Sequence, residues 1–497
     1  MQTARNASAS KRSVGSEFPR TGLMLIDGKM VESADGGWLE CHNPATDEHI
    51  GRVPRGNKRD VEIAVAAAER AQPSWAKLSV AQRAGFLHKL ADAIAQRAGD
   101  ILRVEVADTG NPIAYMRGDI SGGLERLRYF AGLGYELKGE TIPATAENIH
   151  LTVREPYGVV GRILAFNHPI NFAIVGLASP LMAGNAVILK PAEQSPLSAS
   201  LLGEIAAEVL PPGILNILSG IGGEVGDALV RHPRVKRLSF VGSARTGMAI
   251  QRAAAESAVK HVTLELGGKN PFVVFPDAPI EKVAAAAVAG MNFSWQGQSC
   301  ASTSRLFLHE SLHDEVLEKV VAKVKAIRIG DPFDDGTQMG AINSPAQFQK
   351  VMSYVKAGVA EGARLVAGGR RPQGPIFEKG LWVEPTVFAD VKPGMRIARE
   401  EIFGPILSVL RWSNVDDVIE MANDVDLGLS AAVWSTDITQ AMATARRLQA
   451  GYVWVNGVNA HVRAMPYGGY KNSGVGRERG IEELYSYTEE KSIHIML

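Results

Sequence analysis

The chain has 497 residues, 46% hydrophobic and 21% charged, an ordinary globular composition that excludes wholesale disorder, collagen and coiled coil. Its 53 Lys and Arg balance its 53 Asp and Glu, so no net field favours nucleic acid or an anionic membrane. Only two cysteines are present, Cys41 and Cys300, which excludes a disulfide scaffold and fits a reducing, cytoplasmic setting. At roughly 100–200 residues per domain the length allows about two to four domains.

The amino-terminal stretch MQTARNASASKRSVGSEF is basic and Ser-rich, with no apolar run behind its charges. It is not a secretory signal and reads as a loosely packed arm, with organelle targeting left open. Residues 58–108 are Ala-rich with charges at helical spacing and predict two or three amphipathic helices. From about residue 150 the runs 159–166, 186–190, 215–218, 237–241 and 262–266 are short and β-rich, separated by helical patterns at 197–209, 223–230 and 246–259. This βαβ rhythm predicts an open, mostly parallel sheet covered by helices. The apolar stretch 171–189 is broken by Gly, Pro and Asn, so it reads as a buried helix, a turn and a strand instead of a membrane span.

A second α/β set follows. Strands are predicted at 271–275, 304–308, 405–411 and 452–455, and helices at 281–292, 312–325, 344–359, 415–422 and 437–449. The closing run SYTEEKSIHIML alternates and is expected to add a strand to a sheet edge, in this chain or another subunit.

Two motifs look better than they are. His309-Glu310-Ser311-Leu312-His313 matches the H-E-x-x-H zinc pattern, which needs both His on one helix face. LFLH before it reads as a strand, and Ser311 with Asp314 reads as a helix cap, so the two His fall on different elements. No metal site is expected. The loop Gly220-Ile-Gly222-Gly223-Glu-Val-Gly226 misses the dinucleotide fingerprint because Val225 stands where the third Gly belongs. A better anion site is FVGSARTG at 240–247, where Gly242 allows close approach and Ser243 opens a helix.

Cys300 lies in Gln296-Gly-Gln-Ser-Cys300-Ala-Ser-Thr, a small, polar segment able to bring a thiol to a cleft floor with its amide facing an oxyanion. A buried inert thiol is the bland alternative. Cys41 reads as structural. Glu265 and Lys269, at the end of an apparent strand, are candidate bases.

Taken in order, FNHPINF (166–172), KPAEQSP (190–196), FVGSARTG (240–247), LELGGKNP (264–271), GQSCASTSR (297–305), EEIFGPIL (400–407) and PYGGYKNSGVGRE (466–478) resemble the NAD(P)-dependent aldehyde dehydrogenases of the hydrolytic, non-acylating type, from about 22 to 493. The resemblance implies that Cys300 is the nucleophile, that the Asn167 amide and the Cys300 N–H hold the oxyanion, and that Glu265 activates the hydrolytic water. It implies NAD as cofactor, with NADP the weaker alternative because Glu193 would repel a 2′-phosphate. Lys190 and Glu193 would hold the adenosine ribose, Gly242 and Ser243 the pyrophosphate, Glu401 the nicotinamide ribose, and Phe403 would pack near the ring. Lys269 becomes structural.

Departures from the family pattern bear on substrate. Phe166 keeps a frequent aromatic, but His168, Val175 and Ser294 replace others. Trp295 and Tyr467 keep rings nearby, and His168 or Arg463 could meet a polar substituent. This argues against a complete quaternary-ammonium cage and leaves a medium-sized aromatic aldehyde or a polar semialdehyde.

The fold implied is α/β: two open twisted α/β sheet domains plus a small β oligomerisation element. The cofactor domain would use 1–140 and 159–269, the catalytic domain 270–445, and 446–479 would return to the cofactor domain with substrate-tunnel loops. Segments 141–158 and 480–497 would bridge subunits of a homodimer or homotetramer. The competing readings are a coenzyme-A-acylating semialdehyde dehydrogenase, a non-catalytic structural or binding relative, and a zinc hydrolase.

Overall fold

A computed structural model describes residues 18–497. The amino-terminal arm expected before them lies outside the described residues. The first large sheet has eight strands, five of them parallel at its centre. In space these run His261–Glu265, Val235–Val241, Val159–Ile163, Ala186–Lys190 and Leu215–Ile217. The chain thus enters mid-sheet at Val159–Ile163, winds outward through Leu215–Ile217, then returns to the other side with Val235–Val241. Strand order reverses between Val159–Ile163 and Val235–Val241, and the crevice at the carboxyl ends there is where α/β sheets bind ligands. Every residue of Val159–Ile163 and Ala186–Lys190 is buried, as expected for parallel strands covered on both faces.

Lys58–Ala76, Val80–Gln96 and Ala98–Thr109 are the helices predicted from 58–108, and capping boxes at Asn57 and Ser79 start the first two. A fourth, Ile113–Gly132, has no strong sequence signal, because Gly118, Gly122, Gly123 and Gly132 interrupt its period. Each interior Gly costs a helix about 1 kcal/mol relative to Ala. This helix is retained by packing on Pro169–Met182, where Gly123 faces Ile174. Pro169 opens that second helix at a position that needs no N–H donor.

The second large sheet has seven strands in the order Arg364–Ala367, Thr386–Ala389, Ile406–Trp412, Arg305–His309, Pro271–Val274, Ser430–Trp434 and Tyr452–Val455. All neighbours are parallel except the first pair. Residues 266–270 carry the chain from the last parallel strand of one sheet to Pro271–Val274 of the other. No helix among the described residues is long and apolar enough to cross a membrane.

The zinc-like run is a strand-to-helix turn. Arg305–His309 is a strand and the helix begins at His313. The predicted cap is corrected, however. Leu312 occupies the N-cap position with no side-chain bond, because the Ser311 hydroxyl is taken by His309 Nδ1 at 2.8 Å. His313 Nδ1 instead meets Asp314 and Arg411, at 2.7 and 2.9 Å.

The tail strand Thr488–Ile495 pairs antiparallel with Ile149–Pro156 of the same chain, from Thr488↔Pro156 to Ile495↔Ile149. Two buried arginines of the first sheet anchor its root. Arg162 donates to the Tyr487 hydroxyl at 2.6 Å and Ser239 at 2.8 Å, and Arg237 lies 4.4 Å over the Tyr487 ring. Tyr487→Phe is expected to remove about 2 kcal/mol, the worth of a hydrogen bond to a charged group. A thermal unfolding midpoint equal to wild type would show that this hydroxyl does not hold the tail.

Candidate active site

A cleft of about 560 Å³ opens at the switch point between the two sheets. Its wall includes Phe166, Asn167, Lys190, Glu193, Gly242, Ser243, Glu265, Cys300, Glu401 and Phe403, so residues spread over more than two hundred positions meet in one place. Each arrives by a different route. Phe166 and Asn167 follow Val159–Ile163, Lys190 ends Ala186–Lys190, and Glu265 ends His261–Glu265. Ser243 caps the helix Ala244–Ser257 by accepting from Thr246 N–H.

The crossing after Glu265 positions the Cys300 loop. Gly268 runs so close to the Cys300 loop that an added Cβ would lie 2.5 Å from the Cys300 carbonyl oxygen. Asn270 Nδ2 donates to the carbonyls of Cys300 and Ser302, at 2.7 and 2.9 Å, while its Oδ1 accepts from Ser430 N–H at 3.0 Å. The Cys300 backbone is therefore clamped while its thiol stays partly accessible. Burial, with the negative charges of Glu401 and Glu265, pushes the thiol pKa up to about 11, and the Tyr467 hydroxyl 3.9 Å from Sγ opposes this. Cys300 thus needs a base. Both Glu265 carboxylate oxygens are buried without a hydrogen bond, and burial raises the pKa well above the ordinary carboxylate range. An unsatisfied carboxylate beside a neutral thiol is a proton acceptor in waiting.

Asn167 sits just before the helix Pro169–Met182. Its carbonyl accepts from Asn111 Nδ2 at 3.2 Å, and Glu105 Oε1 holds the Ile170 N–H at 3.0 Å. Its side-chain amide has no hydrogen bond among the described residues and can serve an oxyanion.

The aldehyde dehydrogenase family model matches residues 30–493. The chain belongs to the aldehyde dehydrogenase family. It is 45% identical over 481 residues, 95% of this chain and 93% of the relative, to the aldehyde dehydrogenase tropH of Talaromyces stipitatus. Among solved structures it resembles the NAD+ complex of aldehyde dehydrogenase from Bacillus cereus, with TM-score 0.93 and 38% identity over 96% of this chain and 97% of that one. It matches as well an indole-3-acetaldehyde dehydrogenase of P. syringae in complex with NAD+ and IAA, again with TM-score 0.93, 38% identity and the same coverage.

Within this aldehyde dehydrogenase the cleft suits a dinucleotide. Gly222 and Gly223 leave its rim bare, with Glu193 the only neighbour an added Gly222 Cβ would approach, at 3.7 Å. Lys190 is buried and donates to Glu193 at 2.9 Å. Phe403 meets Phe166 edge to face at 5.6 Å, and Gln347 pins the Phe403 carbonyl at 2.6 Å. Glu401 accepts from Gly268 N–H at 2.9 Å. Lys269 is buried behind the wall, with its pKa pushed down to about 7 by burial and Arg305.

The residues expected around the substrate divide. Tyr467 touches the thiol. His168 pairs with Asp119 at 2.7 Å and packs on Trp295, with ring centroids 5.0 Å apart. Trp295 also packs on Tyr115. Val175 is buried in its helix and Ser294 is partly buried next to Trp295. Arg463 is exposed and paired with Glu125. Sequence reasoning missed Asn270, Asn111, Glu105 and Gln347. Only Asn270 lay in a recognised motif, and the others act through contacts that no local pattern encodes. The Gly220–Gly226 loop, set aside as a failed fingerprint, does line the cleft.

Asn270→Ala is expected to lower kcat about 10–100-fold through misplacement of the thiol. Steady-state rates equal to wild type would show that the clamp is dispensable.

Proposed function

We propose that this chain oxidises an aldehyde to the carboxylic acid with NAD and water. The convergence of Cys300, Asn167 and Glu265 on one wall of a dinucleotide-sized cleft carries the reading. Cys300 Sγ attacks the aldehyde carbon as its proton passes to Glu265, and the oxyanion forms between the Asn167 amide and the Cys300 N–H. Bound NAD supplies the hydride acceptor. The acyl group remains on Cys300 as a thioester. Glu265, having passed the thiol proton on to solvent, takes a proton from water as the water oxygen adds to the thioester carbon, and holds it for the departing sulfur. The C–S bond then breaks to release the acid, and the thiol is restored.

Lys190 and Glu193 would hold the adenosine ribose, Gly242 and Ser243 the pyrophosphate, Glu401 the nicotinamide ribose, and Phe403 would flank the nicotinamide. Glu193 supports NAD, with NADP the weaker alternative. His168, Trp295 and Tyr467 support a medium-sized aromatic aldehyde or a polar semialdehyde, lined also by Phe166, Val175, Ser294 and Arg463. We assign 1–140 and 159–269 to cofactor binding, 270–445 to catalysis, and 446–479 to the return to the cofactor domain and tunnel loops, with the correction that Tyr452–Val455 belongs to the second sheet. Segments 141–158 and 480–497 would join a homodimer or homotetramer, which exposed Ile149, Ile493 and Ile495 on the tail hairpin support. Two free cysteines are in keeping with the cytoplasm.

NADH formation from an aldehyde panel tests the activity. Cys300→Ala is expected to abolish it, and an unchanged rate would remove Cys300 as nucleophile. Free acid is expected without coenzyme A, whereas dependence on coenzyme A would establish the acylating alternative.

The raised Glu265 pKa adds a pH test. Its ionised fraction climbs with pH through the raised value, so the hydrolytic rate is expected to keep rising with pH above the ordinary carboxylate range instead of levelling off there. Glu265→Gln is expected to remove that slope, slow the NADH burst as well as the hydrolytic step, and lower turnover about 10²–10⁴-fold. A pH-independent wild-type rate would refute the general-base role.

A further inference from the structure

Two guanidinium groups on the substrate side of the thiol, Arg479 and Arg126, have no ion pair among the described residues. Arg479 lies 4.3 Å over the Tyr467 ring, whose hydroxyl is 3.9 Å from Cys300 Sγ. Its Nη1 is buried with no hydrogen bond. The backbone of Arg479 is in the left-handed region, at φ 72°, and the Tyr467–Glu478 bridge sets it beside Tyr467. A non-Gly residue in that region is uncommon and marks a constrained side-chain direction.

Arg126 stands on the helix Ile113–Gly132. Tyr115, Asp119, Gly122 and Arg126 follow one another at helical spacing on the face turned to Trp295, His168 and Asn171. Arg126 has no hydrogen bond or ion pair among the described residues. Burial and the charge of Arg479 push its pKa down to about 10, so it remains a cation at neutral pH. An added Cβ at Gly118 meets nothing, and one at Gly122 meets only Asn171 Nδ2 at 3.7 Å, so the approach along this face is open.

Of the carboxylates near this pair, Glu265 feels the charge of Arg479 but is held toward its neutral form by burial, and three others are engaged elsewhere. Glu478 accepts from Arg162, Glu483 from Ser179 and the Arg479 N–H, and Asp119 pairs with His168. The environment is cationic enough to be felt by His461, packed edge-on to Tyr467. Enclosure, with the charges of Arg479 and Arg126, pushes its pKa down to about 3.

We propose that Arg126 and Arg479 form the carboxylate-binding end of the substrate site, so that the preferred aldehydes carry a carboxylate about one aromatic ring or a short alkyl chain from the carbonyl. The inference rests on the aldehyde-oxidising reading and names the substrate class for it. Planar guanidinium forks match a carboxylate in two-point contact, and an anion between two like charges relieves their repulsion. Arg463, already paired with Glu125 and exposed, is not the anchor.

Two matched pairs test this: 4-carboxybenzaldehyde against methyl 4-formylbenzoate, and succinic semialdehyde against butanal. In wild type the carboxylate member of at least one pair is expected to have kcat/KM at least tenfold higher. Arg126→Gln and Arg479→Gln are each expected to cut that preference at least tenfold, mainly through KM, with partial recovery in Arg126→Lys. Should the variants fail to fold, wild-type product inhibition serves, with terephthalate expected to bind at least tenfold tighter than its monomethyl ester. A preference below tenfold in both pairs, a preference that survives the substitutions, or equal inhibition by the two products overturns the proposal. Oxidation of neutral aldehydes without a carboxylate preference overturns this proposal alone. No oxidation of either member of either pair overturns the activity reading as well.

Discussion

The site depends on the short crossing from Glu265 to Asn270. It ends one parallel sheet, begins the other, and carries the Asn270 amide that bonds the Cys300 and Ser302 carbonyls and the Ser430 N–H. A neutral amide suits this task. It satisfies three buried backbone groups without placing a charge beside the thiol, and a buried unsatisfied carbonyl would be costly. Close approach is equally required. Gly267 lies where a Cβ would fall 2.1 Å from the Glu401 carboxylate, and Gly268 where one would strike the Cys300 loop. Cys300, Glu265 and the Glu401 side of the cleft are thus fixed relative to one another by six consecutive residues.

Around this crossing, burial tunes the chemistry. Cys300, Glu265 and Lys269 all have pKa values displaced toward the neutral form, and in each the largest cause is desolvation. The low-dielectric site holds a thiol, a carboxyl and an amine that are each shifted toward the uncharged form instead of locking into ion pairs. Farther out the pattern changes. Arg162 and Arg237 are fully buried cations tied to the tail through Tyr487. The root of the tail hairpin is therefore coupled to the first sheet by hydrogen bonds to charge, not by an apolar patch alone.

Much of the fold was legible locally. Parallel strands buried on both faces read as apolar runs, and helices such as Leu197–Val209 and His313–Lys325 follow from their period. The helix Ile113–Gly132 was not legible, because its glycines serve contacts with a neighbour and not its own propensity. Ser311 has the composition of a cap, but His309 competes for its hydroxyl. The Gly220–Gly226 loop has the wrong spacing for a fingerprint yet lines the cleft, since what places it there is the end of Leu215–Ile217 beside Glu193.

By itself the sequence determined the residue types of the chemistry and their order: one thiol in a small polar loop, one carboxyl at a strand end, one amide ahead of a helix. These are local properties, set by side-chain chemistry and backbone propensity. Only the tertiary structure decided which distant groups meet. It paired the tail with Ile149–Pro156, gave Arg463 to Glu125, and left Arg126 without an ion pair while setting Arg479 over the Tyr467 ring. Such pairings compete across hundreds of residues of chain. Their outcome is set by packing and desolvation at the point of contact, which no local pattern encodes.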